Sequence, residues 1–397
     1  MSPDPKDASS FNHRFVTVPS GHRYHLVDQP PAHWRGPIEE APTVLMLHGF
    51  PDNWSGWRYQ IVAFAARGYR VLCPSQLGYC GTSQPTKIEA YSFKSIAYDY
   101  NGLLDAVGAG RVVVCGHDWG AFAAWRFANF FPHRVICLAS VCVPYAPPSQ
   151  PGDPIYSDAD LLRKVPNFGY QIWFKDEETS AKIDEVLEQF ITVSFSPTLR
   201  AKLRKAGKEI PQMAVEGNGM EKRVDEMIRV KRAGKAPPVP QDPCRRGRPL
   251  RHRASLSAAD SPLVVERTLF ARPQELLYYI ETFKKHGMHA PLNWYRNRTV
   301  SALDEQASHV AATFPAHIPA LLLPAENDPA LPPAMSDPKR MAKLFPGGNL
   351  RIEVIKGADH WALQDEPFRD GVTDRLLSFV EEVLAGKWQP EAPPSKL

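Results

Sequence analysis

The sequence predicts an α/β fold in which a mostly parallel central sheet carries helices on both faces and an inserted helical cap. Three observations lead there. β-branched runs alternate with helical apolar repeats through residue 146, which is the signature of parallel strands joined by crossover helices. The alternation stops at about residue 147 and resumes at about 316. One strand also turns directly into a helix through Gly116-His117-Asp118-Trp119-Gly120, a bend that needs its small residues.

Each element follows from local pattern. Phe15 to Val18 and Arg23 to Val27 flank Pro19-Ser20-Gly21-His22 as an opening hairpin. Thr43 to Leu47 is a fully apolar strand ending in the turn His48-Gly49-Phe50-Pro51. Ser55 to Arg67 reads as a helix stopped by Gly68, and Tyr69 to Cys73 as the next strand. Ser92 to Val107 is a helix and Arg111 to Cys115 a buried strand. Ala121 to Phe131 is a helix closed by Pro132, and Arg134 to Val143 a further strand. Residues 147–315 are expected to form a helical cap, with one apolar face at Ile183, Val186, Leu187, Phe190 and Ile191 and a helix over Gln274 to Lys285. Residues 316–386 return to the core with strands Ile318 to Leu323 and Asn349 to Ile355 and a closing helix Phe368 to Leu384. Residues 387–397 form a polar, proline-rich tail.

At 397 residues and 43% hydrophobic content the chain can bury a large core. Its formal charge of +4 is unevenly placed, because residues 200–253 hold 16 Lys/Arg against 6 Asp/Glu. One local basic stretch is no nucleic-acid footprint, so no nucleic-acid partner is expected. The stretch 214–262, with Arg245-Arg246-Gly247-Arg248 and Arg251-His252-Arg253, has few large apolar groups and is expected not to order itself. A nuclear signal or an anion-binding patch is the less favoured reading. Cys73, Cys80, Cys115, Cys137, Cys142 and Cys244 show no paired spacing and are expected as reduced thiols. No metal and no cofactor is expected, and no apolar run approaches membrane-spanning length.

The chemistry centres on Asp118. A strand–turn–helix bend pushes its central side chain out at the carboxyl edge of a sheet, the position of a nucleophile. An acidic helix cap is the alternative reading. A nucleophile there needs a base and an acid to orient that base, each after a later strand. Asp328 in Pro324-Ala325-Glu326-Asn327-Asp328-Pro329 is the orienting acid, with Glu326 as the fallback. His360 in Lys356-Gly357-Ala358-Asp359-His360-Trp361 is the base. Backbone amides of Phe50 and Trp119 are expected to form the oxyanion hole. A carboxylate nucleophile attacks a saturated carbon bearing a leaving group, which points to epoxides or alkyl halides rather than esters.

With these residues in place the chain resembles the soluble, cytosolic and peroxisomal-type epoxide hydrolases of the α/β-hydrolase superfamily. The resemblance rests on His48-Gly49-Phe50-Pro51 with Trp54, Trp57 and Arg58, on the Asp118 pentapeptide, and on Asp328 and His360. It also rests on two cap segments, Asn167-Phe168-Gly169-Tyr170-Gln171 and Pro291-Leu292-Asn293-Trp294-Tyr295-Arg296-Asn297. It implies that Tyr170 and Tyr295 donate hydrogen bonds to the epoxide oxygen, and that the product is a vicinal diol. Phe50, Trp119, Trp173 and Trp361 are expected to line an apolar substrate tunnel. The loop Pro74 to Ser83 departs from the family pattern, with Ser75 where Asp is usual and Cys80 where Gly is usual.

A haloalkane dehalogenase is the alternative, disfavoured by Tyr295 because a halide leaving group needs no proton. A catalytically impaired accessory or binding protein is another, motivated by the unusual cap. The terminal Ser395-Lys396-Leu397 reads as the address recognised by the peroxisomal import receptor, so a peroxisomal location is expected. That location would suit epoxides from lipid or secondary-metabolite (toxin) biosynthesis.

Overall fold

The computed structural model describes residues 3–195, 219–234 and 273–389. The basic runs near 245–253, Cys244 and the terminal tripeptide lie outside them. Eight strands form one sheet: β1 His13–Thr17, β2 Arg23–Gln29, β3 Thr43–Leu47, β4 Arg70–Pro74, β5 Val112–His117, β6 Val135–Val141, β7 Ala320–Leu323 and β8 Leu350–Ile352. Their order is β1-β2-β4-β3-β5-β6-β7-β8. The first two strands pair antiparallel and β2 joins β4 antiparallel, while every pairing from β4 to β8 is parallel. Asp28 on β2 takes Nε and Nη2 of Arg70 on β4 at 2.8 Å each, a bidentate pair that fastens the antiparallel edge.

Parallel strands read as continuous apolar runs because both faces are covered. On one face, α1 (Arg58–Ala66) packs near the closing helix through Ile61, Phe64, Val372, Leu376 and Phe379. On the other, α2 (Phe93–Ala106) and α3 (Trp119–Phe130) bury Ile96, Tyr100, Leu103, Trp125 and Phe127. Between β6 and β7 come α4 (Asp158–Lys164), α5 (Gly169–Lys175), α6 (Thr179–Glu185), α7 (Leu187–Ser194), α8 (Gly219–Arg232), α9 (Pro273–His286), α10 (His289–Arg296) and α11 (Arg298–Ser308). After β7 follow α12 (Pro338–Leu344) and α13 (Glu366–Leu384).

Several expectations need correcting. The helix expected from Ser55 opens as a 3-10 turn, Trp54–Trp57, before α1 begins at Arg58. The strand expected over Asn349 to Ile355 is ladder-paired only at Leu350–Ile352, with an isolated bridge from Ile355 to Ala325. Within 214–262, residues 219–232 are helical rather than unordered. Met220, Val224 and Ile228 recur every four residues and are buried, so this one turn-by-turn stripe has a face to bury despite its basic surroundings. At Cys80 the backbone adopts a φ of 46°, the conformation glycine tolerates better, between Gly78 and Gly81. Of the described cysteines, Cys73, Cys115, Cys137 and Cys142 are buried free thiols and Cys80 is half-buried.

Candidate active site

Asp118 stands between β5 and α3 with a φ of 53°, and its two flanking glycines are there because nothing larger fits. A Cβ on Gly116 would lie 2.5 Å from the Ala121 Cα, and one on Gly120 would lie 2.2 Å from the Leu47 carbonyl oxygen. Close approach of β3, β5 and α3 is therefore the condition for this bend. Asp118 stands at the N-cap position of α3, but its side chain makes no capping hydrogen bond to the second or third amide of that helix. Its Oδ1 instead accepts the Phe50 amide at 2.8 Å, and the Trp119 amide also donates to the carboxylate. Gly49 is required for that approach, since a Cβ there would sit 2.3 Å from Asp118 Oδ1.

The turn that carries Phe50 is held from below by His48. Its Nδ1–H donates to the Gly49 carbonyl at 3.0 Å and its Nε2 accepts the Gln76 amide at 2.9 Å. Burial pushes this imidazole down to about 3, so it stays neutral and serves as a fixed strut.

After β7, Asp328 is buried and accepts the Ala330 and Leu331 amides through Oδ1 at 2.9 and 3.0 Å. Its Oδ2 faces His360 Nδ1 at 2.7 Å. His360 Nε2 then points to Asp118 Oδ2 at 3.6 Å. The fallback acid, Glu326, pairs with Lys356 at the surface and takes no part. Two further contacts steady the base. His117 donates from Nε2 to the His360 carbonyl at 2.8 Å, and the Cys142 thiol reaches the same oxygen at 3.6 Å. Neither contact is legible in the sequence, because a hydrogen bond to another residue's backbone carries no sequence signal.

The charges follow from this arrangement. Burial alone would lower His360, but the adjacent Asp328 carboxylate outweighs it and holds the imidazole well above its usual range. Burial raises Asp328, yet His360 and the two amides bring it below the ordinary carboxylate value. Asp118 is raised by burial, partly opposed by His360 and by the Phe50 and Trp119 amides.

The cap lowers two phenols over the acid. Tyr170 on α5 and Tyr295 on α10 have ring centroids 6.1 Å apart, and both line the cavities that contain Asp118. Burial, with Asp118 nearby, raises both phenols above their ordinary value, so both stay protonated at any physiological pH. The rings are wedged among Phe50, Trp119 and Phe174, with Tyr295 centroids 5.3, 5.1 and 4.9 Å from each.

Two cavities meet at Asp118. The larger, about 490 Å³, includes Trp119 in its wall, and the smaller, about 90 Å³, includes Phe50 and Trp361. Trp173 lines neither, contrary to the expectation from the sequence. In α5 it lies about 100° round the helix from Phe174 and is buried among cap residues, so Phe174 faces the cavity in its place.

A profile of the alpha/beta hydrolase fold matches residues 42–214. The chain is 30% identical over 395 residues to Epoxide hydrolase srdG of Neurospora crassa, covering 97% of this chain and 100% of that protein. It is 31% identical over 347 residues to Epoxide hydrolase A of Mycobacterium tuberculosis, covering 86% of this chain and 90% of that one. Bifunctional epoxide hydrolase 2 of Sus scrofa is 31% identical over 367 residues and 92% of this chain. The chain spans only about half of that longer protein, 55% of its length. The crystal structure of Epoxide Hydrolase A from Mycobacterium thermoresistibile superposes with a TM-score of 0.64 at 26% identity, covering 94% of this chain and 98% of that one. A carboxylate elbow under two cap tyrosines and similarity over most of the chain to these proteins lead to one assignment: this chain belongs to the epoxide hydrolase family of the α/β-hydrolase fold.

Proposed function

We propose that the protein hydrolyses apolar epoxides to vicinal diols through an ester formed on Asp118. The observation that carries this reading is the placement of two protonated phenols and a carboxylate around one cavity. An Asp118 oxygen attacks an epoxide carbon, and that carbon–oxygen bond breaks. The alkoxide left behind takes its proton from Tyr170 or Tyr295, positioned so that charge is met as it develops. Water then enters beside His360. Neutral Nε2 removes its proton, and hydroxide attacks the Asp118 carboxyl carbon. The oxyanion that forms lies against the Phe50 and Trp119 amides. Collapse frees the diol, and the proton on His360 returns to the tyrosinate.

Asp328 orients the imidazole and stabilises its protonated form, the part an acid plays in a nucleophile–base–acid relay. A halide-releasing reaction has no use for a proton donor, and two phenols over the acid favour ring opening instead. The test is a single turnover of styrene oxide in heavy-oxygen water. Label should appear in Asp118 while the first diol carries none. Label passing straight into the first diol would defeat the covalent route.

A further inference from the structure

The two cavities that meet at Asp118 differ about fivefold in volume, and their walls differ in what they leave unsatisfied. The wide branch, about 490 Å³, is walled by Phe93, Phe122, Val143, Ile155, Leu161 and Met335. Its buried charges are already engaged. Arg126 pairs with Glu305 and donates to the Ala146 carbonyl at 2.7 Å, and Glu305 Oε2 accepts the Ser149 amide at 2.7 Å. Arg298, at the same wall, pairs with Asp158. A guest there meets apolar surface.

The narrow branch, about 90 Å³, holds His360 and Asp328 and is lined by Phe174, Phe190, Met220 and Trp361. Liquid water occupies ~30 Å³ per molecule, so this branch has room for about three. One place belongs to the water that His360 must activate. The remainder accommodates a hydrogen or a methyl group and nothing as large as a phenyl ring. The wide branch, by the same measure, takes a group of a dozen or more heavy atoms.

Building on the epoxide-opening reading, we propose that the protein selects epoxides with one bulky apolar substituent on one ring carbon and at most a methyl on the other. Phe190 and Met220 set that limit. Phe190 lies against Phe50 and Phe174, at centroid distances of 6.3 and 6.4 Å, so its ring is braced on those two sides. Met220 reaches the branch from α8, the helix within the otherwise basic stretch. A segment without a signature of its own thereby shapes specificity.

The experiment compares kcat/KM of the full chain for styrene oxide and trans-stilbene oxide, with mass-spectrometric detection of the ester on Asp118. Wild type should favour styrene oxide on the order of a hundredfold. Phe190→Ala and Met220→Ala should each narrow that ratio by about tenfold, through gain on the larger substrate. Thermal melts establish that the variants fold; should Phe190→Ala not fold, Met220→Ala decides. Equal use of both epoxides by wild type, with the ester present, would overturn this proposal and leave the proposed reaction standing. Folded variants with an unchanged ratio would also overturn it. Failure of styrene oxide to form the ester would instead remove the underlying reaction.

Discussion

His360 Nε2 stands 3.6 Å from Asp118 Oδ2, beyond a good hydrogen bond, while its Nδ1 is 2.7 Å from Asp328 Oδ2. The imidazole is thus committed to one acid and only faces the other. This asymmetry separates a base-orienting carboxylate from a nucleophile, and the first prediction follows from it.

Replacing Asp118 with Asn should abolish steady-state turnover, apart from slow recovery if the amide hydrolyses back. Replacing His360 with Gln should leave the alkylation step and stop the hydrolysis step. Intact-mass spectrometry then finds the protein carrying one substrate equivalent. Absence of any adduct in the His360→Gln protein would contradict the two-step scheme.

In the proposed reaction the phenols donate their protons in the first half-reaction. Tyr170→Phe and Tyr295→Phe each remove one donor to a developing alkoxide, a charged hydrogen bond worth about 1.5–3 kcal/mol, or roughly 10- to 150-fold in alkylation rate. Stopped-flow quenching of Trp119, whose ring lies 5.1 Å from Tyr295, reports that step. Ester hydrolysis should keep its wild-type rate in both variants.

The pH dependence has a definite sign. Hydrolysis needs His360 unprotonated, and Asp328 raises its pKa above the usual ~6.5. The hydrolytic rate should therefore climb as pH rises through that elevated value. Asp328→Asn takes away the raising charge, so the limb should move to lower pH even though the rate itself falls, a profile measurable by single-turnover kinetics. Alkylation should also climb with pH, because its nucleophile must be ionised. Asp118 is raised by burial, so its acid limb should lie above that of an exposed aspartate.

The elbow makes a prediction about stability. Gly120→Ala places a Cβ 2.2 Å from the Leu47 carbonyl oxygen, which is backbone and cannot swing away. Overpacking of this kind costs about 1–3 kcal/mol or more, and a calorimetric melting temperature should drop by several degrees. Gly110→Ala, where an added Cβ meets nothing within 4 Å, serves as the control and should melt like wild type.

Much was legible in the sequence for identifiable reasons. Fully covered parallel strands are written as apolar runs, so β3, β5 and β7 could be read directly, and the elbow glycines mark the one place where backbones must nearly touch. Asp328 and His360 could be located because each follows a strand at the sheet's carboxyl edge. Trp173 could not be judged, because a seven-residue helix offers both Trp173 and Phe174 and only packing chooses which of them turns inward. The same holds for Met220, Cys142 and His117, whose partners at the site lie 26 or more residues away along the chain.

Composition and spacing alone therefore determined the layered architecture, the carboxylate at the bend and the order of its helpers, since these are local consequences of covalent geometry and of periodic burial. Tertiary structure decided how far apart the three side chains stand, which aromatic rings face the cavity and how unequal its branches are. Those quantities depend on contacts between segments distant in the chain, where a fraction of an ångström in packing has no counterpart in any one stretch of residues.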